Sequence, residues 1–256
     1  MEREPIIKVE HLTAGYGETV ILEDVSFEVY VGEILTILGG SGCGKSTLMN
    51  HMIGLLEPMA GDIWIDGGNI VTAQGAEREK ILTRFGVSFQ SGALFGSMTV
   101  LENVALPLLE FTDLPQVAIE WIAQAKLRLV GLEGYGYLMP SELSGGMQKR
   151  AALARAMALD PKILFLDEPS AGLDPITAAR LDDLILHFSR DLGMSFVIVT
   201  HELPSVFALA DRVIMLDKER RGIVAQGRPD QLKDDRSEPV VWQFFNRKTA
   251  LSESQA

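Results

Sequence analysis

The chain has 256 residues, 47% of them hydrophobic and 23% charged, enough for one large domain or two small ones with an ample core. Its net charge of −12 argues against general binding to nucleic acid, which needs a basic face, and against charge-driven docking on anionic lipid. No apolar run approaches the roughly 18 residues that span a bilayer, the start MEREPIIKVE is too charged for a signal peptide, and the single cysteine, Cys43, has no partner for an internal disulfide.

Residues 6–38 alternate as strands do; in VSFEVYV, Val25, Phe27, Val29 and Val31 fall on one face. EILTILGG (33–40) is a short apolar run ending in glycines, the pattern of a buried strand entering a tight turn. GDIWIDGGNI (61–70) predicts a further strand and turn. Over 97–158 the pattern becomes helical: Ala118, Trp121, Ile122, Ala125 and Leu129 follow the spacing of one inward helix face, with Gly131 as its stop. KILFLDEPS (162–170) and SFVIVTHE (195–202) read as apolar strands with helical PITAARLDDLILHFSRDLG (175–193) between them, an order that predicts a parallel sheet covered by helices. DRVIMLDKERRGIVAQG (211–227) predicts a closing hairpin, and the tail from Asp234 is polar except for VVWQFF (240–245). The sequence contains no internal repeat, so the chain carries one copy of this unit.

GGSGCGKST (39–47) has the form G-x-x-x-x-G-K-[ST] after an apolar strand and before a helical run. Gly39, Gly40, Ser41, Gly42, Cys43 and Gly44 would wrap a phosphate chain with backbone N–H groups. Lys45 would reach the β and γ phosphates, and Ser46, followed by Thr47, would hold Mg²⁺. Cys43 reads as a small residue tolerated in a backbone-lined loop; the competing reading, a redox switch, lacks a pKa-lowering partner other than Lys45. ILFLDEP (163–169) places Asp167 and Glu168 at the end of a buried strand, where carboxylates are costly unless paired or bound to metal. Asp167 would hold Mg²⁺ through water, and Glu168 would activate the attacking water as general base.

LSGGM (143–147), followed by QKRAALARAMALDP and then ILFLDEP, resembles the signature of ABC-transporter ATPases, and the resemblance extends over about residues 6–235. It implies a P-loop NTPase of mixed α/β fold: a core of about 1–90 and 160–235 with an antiparallel N-terminal subdomain, and an inserted helical subdomain of about 91–159. Tyr16 in AGYG resembles the adenine-stacking aromatic, Gln90 the Q-loop glutamine that contacts Mg²⁺ and nucleotide, SAGLD (170–174) the D-loop, and His201 in VTHE the switch histidine at the γ-phosphate. Ser144, Gly145 and Gly146 form an anion site at a helix start in their own right, on a helix whose Met147, Ala151, Ala154 and Ala158 share one face. The resemblance implies that they cap the ATP of a second copy, in a head-to-tail homodimer. Met147 stands where the family usually has glutamine.

The loop after Gln90 is apolar: Ala93, Leu94, Phe95, Met98 and Val100. In the resembled family this segment faces integral membrane permease subunits, and an exposed apolar loop fits an interface; Leu94 and Phe95 fit the helical core equally well. FQSGALFGSMTVLENVALPL (89–108), DPIT (174–177) and EPVVWQFFN (238–246) are similar to the ATPases of MCE-associated lipid transporters, such as the Mla phospholipid system. That resemblance implies an MCE-domain substrate-binding subunit, a small STAS-domain regulatory subunit, and a place on the cytoplasmic face of a bacterial inner membrane, peripheral via the permease. It also implies phospholipid trafficking between the two membranes, with another cargo, hydrophobes or amino acids, as the alternative. Trp242, Phe244 and Phe245 in the 236–256 tail would pack either on a partner chain or on their own domain.

Overall fold

The computed structural model describes residues 4–247, which build two sheets flanked by helices. The antiparallel sheet has four strands in the order β2-β1-β4-β5, from β1 (Pro5–Tyr16), β2 (Thr19–Tyr30), β4 (Ala60–Ile65) and β5 (Gly68–Asn69). The second sheet has six, in the order β10-β9-β3-β8-β7-β6. Its strands are β3 (Ile34–Gly39), β6 (Phe85–Ser88), β7 (Ile163–Asp167), β8 (Ser195–Val199), β9 (Arg212–Asp217) and β10 (Gly222–Gly227); β10 alone among them runs antiparallel to its neighbour.

The continuous apolar runs of β7 and β8 follow from burial on both faces. Ile163 and Phe165 of β7, with Val197 and Val199 of β8, point into one core, shared with the antiparallel sheet and α1 (Lys45–Met52). Leu164, Leu166, Phe196 and Ile198 point into the other, under α3 (Val100–Phe111), α4 (Gln116–Leu129), α5 (Gly145–Ala156) and α6 (Pro175–Leu192). A third cluster packs α7 (Leu203–Leu209), α8 (Pro229–Asp234) and α9 (Pro239–Asn246) on β9 and Leu38. The remaining α-helix, α2 (Gly75–Leu82), precedes β6, and a short 3-10 helix (Pro140–Glu142) precedes α5. Each sheet needs the other face covered, and one buried ion pair fixes their relative position: Arg212 on β9 donates from Nε to Glu33 Oε1 at 2.7 Å and from Nη2 to Glu33 Oε2 at 2.9 Å. The same guanidinium donates to the Glu28 carbonyl on β2 at 2.5 Å and lies over the Tyr30 ring at 5.3 Å.

Local signals account for the helix ends. Thr99 and Glu102 form a capping box at α3, Asp174 caps α6 with Pro175 in its first turn, and Gly193 ends α6 in the left-handed region. The predicted face of α4 is out of phase with the observed one. Ile119, Ala123, Lys126 and Leu127 are buried, whereas Trp121 is 70% exposed, Leu129 is exposed and Ile122 sits at the boundary. The helix is apolar nearly all round, and its true inner face is disguised by Lys126, whose ammonium is paired with Asp160. Val31 likewise falls beyond the end of β2 and is exposed, so the period-two face stops at Val29. In the tail, α9 docks on its own domain: Val241 and Phe245 are buried, and the Phe245 ring meets Phe207 of α7 edge-on. Residues 248–256 lie outside the described residues.

Asp182, on the face of α6 toward α7, is buried, accepts a hydrogen bond from Ser205, and has one carboxylate oxygen, Oδ1, without a partner. Burial pushes its pKa up to about 6. The folded state therefore holds this proton more tightly than the unfolded chain, and the contribution of Asp182 to stability falls as pH rises from the ordinary carboxylate range to about 6. We expect Asp182→Asn to be more stable than the parent at pH 8, by up to about 3 kcal/mol, and close to it at pH 4. Urea unfolding at the two pH values checks this; an equal difference at both would show that the carboxyl is not the cause.

Candidate nucleotide site

Register brings the sequence motifs to one edge. Ile37 of β3 pairs with Val199 of β8, Val199 pairs with Asp167 of β7, and Leu166 of β7 pairs with Ser88 of β6. The loops that follow these strands carry the glycine-rich segment, His201, Glu168 and Gln90, so all four leave the sheet side by side at its C-terminal edge, where ligands bind in open α/β sheets.

At Gly39 the backbone turns with φ 147°, and a Cβ there would overlap the Cys43 sulfur and the Leu216 carbonyl, so a side chain would block the exit from β3. Gly40, Ser41 and Gly42 form the exposed rim; Cys43, Gly44 and Thr47 are buried, and Ser46 faces out on the first turn of α1. Lys45 Nζ arches back over the loop and donates to the carbonyls of Gly39 at 2.9 Å and Gly40 at 3.0 Å. Burial pushes the Cys43 thiol up, against a smaller pull from Lys45, so it is not an activated thiolate and the redox-switch alternative loses its chemical basis. Tyr16, at the end of β1, reaches this loop from the other sheet. Thr47 Oγ1 donates to its hydroxyl at 3.4 Å, and the residue stays 49% exposed beside the phosphate loop, open to a planar ring.

Asp167 and Glu168 differ in environment. Asp167 Oδ1 is buried with no partner; burial raises the carboxyl's pKa, helped by the Glu168 charge and opposed by Lys45 and Lys149. An orphaned carboxylate oxygen at the end of β7 and an exposed serine hydroxyl on the first turn of α1 are both donors that suit a cation. Among the described residues no group of three or more His, Cys, Asp or Glu could hold a metal alone, so Ser46 and Asp167 fit an ion that takes its other ligands from phosphate and water, as Mg²⁺ does. Glu168 sits in the left-handed region, φ 46°, with its carboxylate fully engaged. Thr200 Oγ1 donates to Oε2 at 3.2 Å, and His201 Nδ1 lies 2.6 Å from Oε1. In the tautomer that donates from Nδ1 to this carboxylate, Nε2 is left on the opposite edge of the ring.

Ser144 caps α5, its Oγ accepting from Met147 N at 3.4 Å. Ala151 and Ala154 are buried and Met147 packs partly on the helical core, but Ala152, Leu153 and Ala156 are buried too and Ala158 lies past the end of α5, so burial wraps the second half of the helix and is not confined to the predicted face. Ser144 and Gly146 line a cleft of about 560 Å³ with Arg150, Leu173 and Thr177, and no residue of the phosphate loop lines it. The two anion-binding segments of one chain thus do not meet.

The loop after Gln90 is held by its backbone. Lys149 on α5 donates to the Gln90 carbonyl and, at 3.2 Å, to that of Glu168. Arg155 on the same helix donates to the carbonyls of Ala93 at 2.7 Å and Gly92 at 2.9 Å. The fully buried Asn103 of α3 donates to the carbonyls of Phe95, Met98 and Thr99 and accepts from Phe95 N at 2.7 Å. With the backbone so tied, Leu94 packs into the helical core, Val100 is buried, and Phe95 remains 51% exposed with the Arg155 guanidinium 6.0 Å from its ring centre. Sequence reasoning passed over Thr200, Lys149, Arg155 and Asn103; Asn103 and Arg155 stand out as polar residues inside apolar helical runs, whereas Lys149 lies in the polar run QKR and Thr200 just past the end of β8.

Comparison with known proteins agrees with this geometry. The ABC transporter family model matches residues 22–171. The chain is 44% identical over 240 residues to the "Probable ribonucleotide transport ATP-binding protein mkl" of Mycobacterium leprae, covering 94% of this chain and 68% of that protein. It is 43% identical over 242 residues to the "Intermembrane phospholipid transport system ATP-binding protein MlaF" of Escherichia coli K12, covering 94% of this chain and 88% of that protein. A dimeric ATP-binding cassette solved in a post-hydrolysis state with ADP and Pi superposes with a TM-score of 0.78 at 30% identity, over 87% of this chain and 98% of that one. No helix among the described residues is long and apolar enough to cross a membrane. The chain therefore belongs to the ABC transporter family as an ATP-binding ATPase subunit, of the kind that dimerises and works with a membrane permease.

Proposed function

We propose that this ATPase drives phospholipid traffic between the inner and outer membranes, working as a head-to-tail homodimer beneath a permease that carries an MCE-domain subunit. The observation that carries the cargo assignment is the match to the MlaF protein along 88% of its length; the mkl match covers 68% of its relative, and that relative's name points to ribonucleotides instead. A small STAS-domain subunit and a position on the cytoplasmic face of the inner membrane belong to the same reading.

The chain's own residues supply the steps. Backbone N–H groups from Gly40 to Lys45 and the Lys45 ammonium bind the ATP phosphates, while Tyr16 stacks on the base. Ser46, Asp167 and Gln90 would hold Mg²⁺, which when bound neutralises phosphate charge. Because Ser144 and Gly146 open on a cleft apart from the chain's own phosphate loop, they and Gly145 between them complete the site of a second copy, and ATP becomes the bridge between the two. Glu168 takes the proton of the attacking water, held by Thr200 and by His201, whose free edge faces the γ-phosphate. Hydrolysis leaves two anions in place of one and opens the dimer. Phe95, presented on a loop whose carbonyls are already satisfied, is the anchor for the permease.

Glu168→Gln should lower turnover by at least about 100-fold and leave an ATP-bound dimer that elutes as such in gel filtration; turnover at the parent rate would remove Glu168 as the base. Tagged chain drawn from detergent-solubilised membranes should bring down a multi-span permease and an MCE-domain protein. A solute-receptor system in their place would overturn the phospholipid assignment and leave the ATPase intact. Phe95→Ala should weaken that co-purification by about tenfold, and Asn103→Ala, which frees the loop without removing the ring, should do the same. Undiminished recovery with both variants would return the loop to the domain's own surface.

A further inference from the structure

Lys149 lies in the run that follows LSGGM and has no role assigned to it from the sequence, yet its ammonium sits where the signature helix, the Gln90 loop and the end of β7 meet. It lies on the second turn of α5, half-buried, and donates to two backbone carbonyls on different segments, those of Gln90 and Glu168. Burial lowers its pKa, and the carboxylates of Asp167, Glu168 and Glu202 pull the other way. A partly desolvated ammonium is expensive to keep and is retained where its geometry is fixed by several acceptors.

The carbonyl it holds on Glu168 is an unusual one. Glu168 has a left-handed backbone, a conformation that costs a side-chain-bearing residue about 1 kcal/mol or more and persists only when its neighbours impose it. Its N–H is fixed by the Val199 carbonyl at 2.8 Å, its carboxylate by Thr200 and His201, and its carbonyl by Ala171 N at 3.2 Å together with Lys149. All of these partners except Lys149 belong to the sheet and its own loops. Lys149 is the contact from the helical segment, and its other bond goes to the first carbonyl of the loop whose later carbonyls are gripped by Arg155 and Asn103. A shift of that loop therefore reaches the backbone of Glu168 through one side chain.

We propose that Lys149 is a positioning residue for ATP hydrolysis. It ties the backbone of Gln90 to that of Glu168, so that the Glu168 carboxylate is set for water activation only while the Gln90 loop is seated on α5. The inference rests on Glu168 as general base and adds the route by which the apolar loop controls it.

The test uses the full-length chain, with steady-state ATPase kinetics and thermal melting. Lys149→Met should lower kcat by about tenfold, or ~1.4 kcal/mol, with KM for ATP nearly unchanged. Lys149→Arg, which keeps the charge and two or more donors, should recover at least about half of the parent kcat. In combination, Lys149→Met with Glu168→Gln should hydrolyse no more slowly than Glu168→Gln alone, because Lys149 acts through Glu168. If Lys149→Met does not fold, Lys149→Gln, a neutral donor, should have a kcat between that of the Arg variant and the roughly tenfold loss expected for Met. Parent kcat in the Met or Gln variant overturns the inference while the base reading stands. So does a double variant that loses a further tenfold, or a loss confined to melting temperature and KM. Turnover at the parent rate in Glu168→Gln alone overturns the base reading and this inference together.

Discussion

Parallel pairing of β3, β8, β7 and β6 is the constraint on which the site depends. Strands in register release their loops at the same height, so residues from 39 to 201 in the sequence become neighbours without any contact designed between them. That register is fixed by burial on both faces. A slip of one residue would exchange Ile163 and Phe165 with Leu164 and Leu166, sending each set into the wrong core. The two cores are unlike in shape, one closed by a sheet and α1, the other by helices, and the exchange would be resisted by packing throughout.

On this frame the site is built by satisfying backbone groups with side chains. In the phosphate loop Lys45 donates to the carbonyls of Gly39 and Gly40, and the latter also accepts from Cys43 N at 3.3 Å. The Gln90 loop gives its carbonyls to Lys149, Arg155 and Asn103. Buried carbonyls that lack partners are costly, so each of these side chains both stabilises a loop and fixes its course. One consequence is that Phe95 is exposed by a rigid loop and not by a loose one, which lowers the ordering cost of any partner that covers it.

Charge follows the same division. Asp167, Glu168 and Glu202 concentrate negative charge at the C-terminal edge of the sheet, opposed within the chain by Lys45 and Lys149. Asp167 keeps an unpaired oxygen, whereas Glu168 is held by a threonine and a histidine. Adjacent in sequence and identical in charge, the two carboxylates are separated in role by their surroundings, one suited to a cation and the other to a proton. Away from this edge the bidentate Arg212–Glu33 pair, sealed by the Glu28 carbonyl and the Tyr30 ring, ties the two sheets together at a point that does no chemistry.

The sequence by itself determined the strand and helix order, the phosphate loop, the paired acids and the capped signature helix, because each is a local pattern: an apolar run, a glycine spacing, a cap. It misplaced the inner face of α4, where apolar residues on both sides leave periodicity without a phase and the buried Lys126 looks like a surface residue. It left Leu94 and Phe95 undivided, and only the grip of Asn103 and Arg155 on the loop backbone turns one inward and the other out. It offered two homes for the tail aromatics, and the contact of Phe245 with Phe207 chose between them for that residue. Thr200 and Lys149 were invisible for one reason: what they do is set by which carboxylate or carbonyl lies across a gap of tens of residues, and that is decided by sheet register and helix docking rather than by spacing along the chain.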